Sequence, residues 1–218
     1  MQVTVTAAGV QLPGDLTGPR EPVGLVVFAH GSGSSRLSPR NIYVAQVLHD
    51  RGLATLLFDL LTPKEDADHS RRFDIGLLAL RLTGALDWLG TRRELPGVPR
   101  GLFGASTGAA AALVAAADRP GDVRAVVSRG GRPDLAGDAL PRVRTPTLLI
   151  VGSHDGQVLE LNRRAAAAMI ADVELDVITG ASHLFAEPGT LEQAADHAAA
   201  WFARHLTSAA EPGSGADS

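Results

Sequence analysis

Four runs of apolar, mostly branched residues stand out along the chain, at 24–30, 53–59, 100–105 and 147–152, each closing on glycine or a small polar residue. They are continuous rather than alternating, the pattern of strands buried on both faces. Shorter or more alternating runs at 123–128 and 173–179 extend the set, and 2–6 alternates as an edge strand does. Between them, apolar residues recur at three- and four-residue spacing over 41–51, 73–93, 107–118, 158–171 and 191–205, which predicts helices. Gly52 stands where a C-terminal helix cap belongs. Strands alternating with helices of this length predict an α/β fold, a mostly parallel sheet of about seven or eight strands with helices on both faces and ligands at the strands' carboxyl ends. The charged segment 62–72 reads as a solvated loop, and 208–218 as a disordered tail beyond a single domain over 1–207.

Composition narrows the chemistry. A length of 218 residues suits one domain, and aromatics at 4% alongside abundant alanine imply closely packed helices. The absence of cysteine removes disulfides, thiolate metal sites and a cysteine nucleophile together. A net charge of −4 gives no positive field for nucleic acid or anionic lipid, so neither is expected as a partner. No apolar run approaches the ~18 residues of a membrane span, and the first residues lack a signal-peptide pattern, from which a soluble cytoplasmic protein is expected.

The segment Gly104-Ala105-Ser106-Thr107-Gly108 fits G-x-S-x-G, with a strand pattern before it and a helix pattern after it. That setting is what a nucleophile elbow requires, because the serine sits in a tight strand-to-helix turn whose flanking residues must be small. At such a turn Ser106 lies at a helix N-terminus, where backbone N–H groups favour developing negative charge. A bland alternative is a small-residue turn with a capping hydroxyl.

A serine hydroxyl needs a base, and the base needs an orienting acid. After this motif the chain order is serine, acid, histidine. Asp155 follows the run at 147–152 and His183 follows the run at 173–179, both at strand ends. Taken singly, Asp155 could be a helix N-cap and His183 a loop histidine. His154 is the nearest rival base but precedes the acid, and Asp134 is the rival acid; His49, His197 and His205 fall in helix patterns and His69 in the charged loop. The oxyanion requires backbone donors, one from Thr107 after the nucleophile and one from the loop His30-Gly31-Ser32-Gly33-Ser34-Ser35-Arg36, where Ser32 is the candidate. A phosphate-cradling reading of that loop lacks the third glycine and the Walker lysine.

With these residues in place, the chain resembles the α/β-hydrolase superfamily, and within it the dienelactone hydrolase-like members, through Phe28-Ala29-His30-Gly31-Ser32-Gly33, the elbow, Gly152-Ser153-His154-Asp155 and Ser182-His183. The resemblance implies Ser106 as nucleophile, Asp155 as acid, His183 as base, and the N–H groups of Ser32 and Thr107 as oxyanion donors. It implies a carboxylesterase acting on a small ester through an acyl-enzyme, with no cofactor and no metal. The namesake lactone hydrolases use cysteine where Ser106 stands, which favours ester over dienelactone cleavage. The sixteen residues between Arg129 and Pro146 are too few for a cap domain, so an open site is expected. Arg36, Arg40 and Arg129 are candidates to line its mouth and attract an anionic substrate, against a plain surface role. Acyl transfer or perhydrolysis by the same triad, and a non-catalytic binding protein on this scaffold, are the alternatives.

Overall fold

The branched apolar runs form the middle of one eight-stranded sheet in a computed structural model that describes residues 1–207. In chain order the strands are β1 (Gln2–Ala7), β2 (Val10–Thr17), β3 (Gly24–Ala29), β4 (Leu53–Phe58), β5 (Arg100–Ala105), β6 (Ala125–Arg129), β7 (Thr147–Gly152) and β8 (Val173–Ile178). They lie side by side as β1-β2-β4-β3-β5-β6-β7-β8, antiparallel at the β1–β2 and β2–β4 seams and parallel elsewhere. Every residue of β3, β4, β6 and β7 is buried, which is why these strands carry no polar alternation. The tail expected to be disordered, 208–218, lies outside the described residues.

Among the described residues six α-helices flank the sheet or its loops: α1 (Pro39–Asp50), α2 (Pro63–Asp66), α3 (Ile75–Gly90), α4 (Thr107–Asp118), α5 (Gly156–Ala168) and α6 (Thr190–Leu206). α1 and α6 bury Val44, Leu48, Trp201 and Phe202 on one face of the sheet, while α3, α4 and α5 bury Leu82, Leu86, Leu113 and Ala165 on the other. α1 starts as its sequence demands, with Ser38 accepting from the Asn41 N–H and Pro39 in the first turn, and Gly52 follows it at φ +78°. α4 is almost wholly buried, and alanine at 109–112 and 115–117 lets it lie close to β5 and α3.

The strand order places the site. From β3 the chain moves outward to β4, then returns through α2 and α3 to β5 on the other side of β3. The carboxyl ends of β3 and β5 therefore flank a topological switch point, where an open parallel sheet leaves a crevice for ligands. The glycine-rich loop leaves β3 there and Ser106 leaves β5.

Two expectations change. β2 was not foreseen, because Pro13 and Gly14 interrupt its pattern; the strand forms through a hairpin whose turn residues Ala8 and Gly9 take φ +46° and +78°. The segment 62–72 is anchored rather than merely solvated: Thr62 and Glu65 form a capping box on α2, and the buried Arg81 reaches Glu65 at 2.7 Å and the carbonyls of Ala7 and Ala8 at 2.9 and 3.0 Å. Between β6 and β7 the chain runs through a 3₁₀ segment, Pro133–Arg142, packed on α4 and α5, with no cap domain among the described residues. At the far edge, Glu174 and Asp176 of β8 pair with Arg204 and His197 of α6, each at 2.8 Å. No described helix is long and apolar enough to cross a membrane.

Because the α4 alanines are buried where the helix packs against β5 and α3, Ala111→Leu should destabilise the protein by about 1–3 kcal/mol through overpacking. A urea titration should show a lowered midpoint at unchanged slope, and an unaltered midpoint would mean that α4 has room to shift.

Candidate active site

The elbow is built by close approach. Ser106 adopts φ +50°, ψ −121°, a region that costs a non-glycine residue of order 1–3 kcal/mol. The turn is held by its backbone: the Ser106 carbonyl accepts from the N–H groups of Ala109 and Arg132, each at 3.1 Å, and its own N–H donates to the Arg129 carbonyl at 3.4 Å. A Cβ on Gly108 would lie 2.2 Å from the Ala29 carbonyl oxygen, and one on Gly104 would lie 2.4 Å from Ala109 Cα. Both glycines of the motif are thus required by backbone contact, as the spacing predicts.

His183 Nδ1 lies 2.6 Å from Asp155 Oδ2, and since a carboxylate can only accept, Nδ1 carries the hydrogen and Nε2 is left to act. Asp155 sits after β7 at the start of α5, while His183 sits in the loop after β8. That loop is pinned by the Ser182 N–H donating to Glu187 Oε2 at 2.9 Å, the Gly180 N–H donating to Ser153 Oγ at 2.8 Å and the His154 N–H donating to the Ala181 carbonyl at 2.9 Å. Gly152 makes the approach possible, because a Cβ there would lie 2.2 Å from the Ala181 carbonyl oxygen. Of the rivals, Asp134 forms a two-pronged pair with Arg132 at 2.8 and 2.7 Å, and the His154 residue is exposed.

The glycine-rich loop lies directly over the elbow, and a Cβ on Gly31 would stand 3.1 Å from Ser106 Cβ. The Ser32 N–H donates to Thr107 Oγ1 at 2.9 Å, so the two candidate oxyanion residues are tied to each other. His30, not among the sequence candidates, fastens the loop from beneath. Its Nδ1 lies 3.0 Å from the Gly31 carbonyl oxygen and its Nε2 accepts from the Leu60 N–H at 3.1 Å, which assigns the hydrogen to Nδ1. Burial holds the His30 pKa below the ordinary imidazole value, so the ring is neutral. A histidine at the end of a buried strand was the available signal, read only as part of the motif.

Ser32, Ser106, Arg129, Gly130, His183 and Leu184 all line one cavity of about 220 Å³. Of the three candidate arginines, Arg40 and Arg129 line it and Arg36 does not. Arg36 is a correction to the sequence reading: its guanidinium pairs with Asp59 at 2.7 Å and Asp15 at 3.2 Å, and its N–H also donates to Asp59, so it anchors the loop to β2 and to the end of β4. Among the described residues no cluster of histidine and carboxylate side chains could hold a metal ion.

A strained serine after the central strand, a histidine–carboxylate pair at two further strand ends and a glycine-rich loop over the serine define an α/β-hydrolase scaffold. The chain belongs to its dienelactone hydrolase-like family: it is 54% identical to a dienelactone hydrolase from Anabaena variabilis, covering 94% of this chain and 97% of that one, with a TM-score of 0.91. Est1E from Butyrivibrio proteoclasticus shares the fold at a TM-score of 0.78 with 16% identity over 93% of this chain and 98% of that one. Proteins from two strains of Mycobacterium tuberculosis, each named "Putative phosphoribosyl transferase", are 60% identical over 205 residues, 94% of this chain. The chain spans only 46% of their length. No protein-family model matches the chain.

His30 generates a pH dependence of stability. Its folded pKa is depressed, so below about pH 6.5 the unfolded chain binds a proton that the folded chain resists, and stability falls as pH drops. His49 and His205 are shifted downward by burial as well and add to the trend. The urea midpoint should therefore fall between about pH 7 and about pH 5, and fall less in His30→Gln; equal falls in the two proteins would remove His30 from this account.

Proposed function

We propose that the protein is a serine hydrolase that cleaves small carboxylic esters through an acyl-enzyme. The observation that carries this reading is the 2.6 Å bond from His183 Nδ1 to Asp155, which leaves the opposite ring nitrogen unbound on a histidine that shares a cavity with the strained Ser106. A histidine oriented in this way by a carboxylate, in a cavity shared with an elbow serine, is suited to taking a proton from the serine and returning it.

In the proposed sequence Ser106 Oγ attacks the ester carbonyl carbon while its proton passes to His183 Nε2. Asp155 keeps the imidazole in the right tautomer and balances the imidazolium charge. The oxyanion forms beside the backbone of Thr107 and Ser32; the first N–H groups of α4 favour it through their dipole, and the Ser32 N–H turns from Thr107 Oγ1 to the substrate oxygen. Collapse of the intermediate breaks the bond to the alcohol, which departs with the proton from Nε2. Water then attacks the acyl carbon, giving its proton to Nε2, and the bond from the acyl carbon to Ser106 Oγ breaks as Nε2 returns that proton to Oγ, which frees the acid. The open mouth, with Leu184 half exposed at its rim, suits short or surface-accessible acyl groups.

The dienelactone hydrolase named for the Anabaena relative supports ester-type chemistry. The transferase name of the mycobacterial relatives is not carried over, because the chain matches 46% of those proteins and an oriented base beside an elbow serine has no part in moving a phosphoribosyl group.

A fluorophosphonate probe should add once to the wild type and not at all to Ser106→Ala, read by intact mass. Asp155→Asn should lower kcat about 10⁴-fold with the fold intact, because the imidazole is then left in the wrong tautomer. Near-normal turnover of Asp155→Asn, or equal labelling of Ser106→Ala, would overturn the assignment.

A further inference from the structure

One flank of the cavity has no role in the acyl-transfer steps and an unusual charge balance. Arg129, the last residue of β6, is only 7% exposed. Its Nη2 reaches Asn41 Oδ1 at 3.4 Å, Nη1 is buried without a partner, and the guanidinium carbon lies 5.9 Å from the ring centres of both Phe103 and Phe185. Arg40, in the first turn of α1, lines the same flank, and its Nε is also buried without a partner. Ser34 and Ser38 add hydroxyl groups there. No aspartate or glutamate lines the cavity, and the nearby Asp155 is engaged by His183.

Two guanidinium groups facing one space without a carboxylate repel one another, and Arg129 Nη1 and Arg40 Nε lack the hydrogen-bond acceptors that burial requires. The strain is visible on Arg129, whose pKa is lowered to about 10 by burial first and by the charge of Arg40 second. It therefore stays protonated at neutral pH. The first turn of α1, opening on the same space through Ser38, Arg40 and Asn41, adds the positive end of a helix dipole. A single carboxylate would leave one positive charge unbalanced, whereas a phosphomonoester brings about −1.5 to −2 charges and three acceptor oxygens.

We propose that this flank binds a phosphomonoester group carried by the ester substrate, with Arg129 and Arg40 supplying the charge and Ser34 and Ser38 further donors. The assignment names the substrate class of the site and rests on the serine-hydrolase reading of Ser106 and His183. It places cleavage after a reaction that phosphorylates an alcohol or acyl precursor. The products are a carboxylic acid and an alcohol, one of them still phosphorylated.

Three esters of one short acyl group, with alcohols ending in a phosphate, a carboxylate or a hydroxyl, test it. The wild type should prefer the phosphate ester over the hydroxyl ester in kcat/KM by about ten-fold or more, as one charge-assisted contact allows, and Arg129→Gln and Arg40→Gln should each erase most of that preference. Inorganic phosphate should bind Ser106→Ala by calorimetry, should bind weakly or not at all when either arginine substitution is added, and should slow fluorophosphonate labelling of the wild type. If Arg129→Gln does not fold, as judged by circular dichroism, Arg40→Gln at the helix start decides the matter.

Equal preference for phosphate and carboxylate, or phosphate binding indifferent to both arginines, overturns the proposal while labelling of Ser106 keeps the hydrolase reading. Phosphate binding that depends on both arginines, with neither labelling nor turnover, overturns the hydrolase reading and leaves the anion site standing.

Discussion

The contact on which the site depends is backbone against backbone: the start of α4 pressed onto the end of β3 with nothing but the Gly108 Cα hydrogens between them. That approach brings the glycine-rich loop over Ser106, fixes the direction in which the serine projects and leaves the chain no option but a left-handed turn at residue 106. The strain is local, and the packing that supports it is not. β5 lies at the centre of a sheet sealed by Phe202 from one side and by the α4 alanines from the other, so the elbow cannot relax without moving buried layers.

Around this fixed point each functional group is held by a strand end and a separate clamp. His183 is held by a loop braced through Glu187 and Ser153, Asp155 by the close passage of Gly152 beneath that loop, and the glycine-rich loop by a neutral histidine bridging Gly31 and Leu60. Arg36, with its two aspartates, is a further clamp of this kind on the same loop. The clamps are polar and partly buried, while the parts they aim point into an open cavity. This division suits a site that must keep its geometry while exchanging small ligands.

How much of this was legible in the chain follows from what each signal encodes. β3, β4, β5 and β7 were readable because burial on both faces leaves an unbroken apolar run, and the elbow because its glycines answer a steric demand that no other residue meets. Asp155 and His183 were readable only through their order and position after strands, and the structure joins them by a short hydrogen bond. β2 was hidden by Pro13 and Gly14, whose local preferences oppose a strand that pairing with β1 and β4 nevertheless stabilises. The arginines show the limit most plainly. Arg36 and Arg40 are four residues apart on one loop-to-helix segment with the same chemistry, and only the three-dimensional arrangement puts two aspartates beside one and none beside the other.

Among the described residues the two outer strands of the sheet, β1 and β8, carry hydrophilic and charged side chains. At one rim the hairpin presents the hydrophilic residues Gln2, Thr4 and Thr6, and at the other the acidic side chains of β8 are already committed to α6. Charged and hydrophilic side chains on outer strands disfavour the docking of a further strand, which works against lateral growth into a continuous intermolecular sheet.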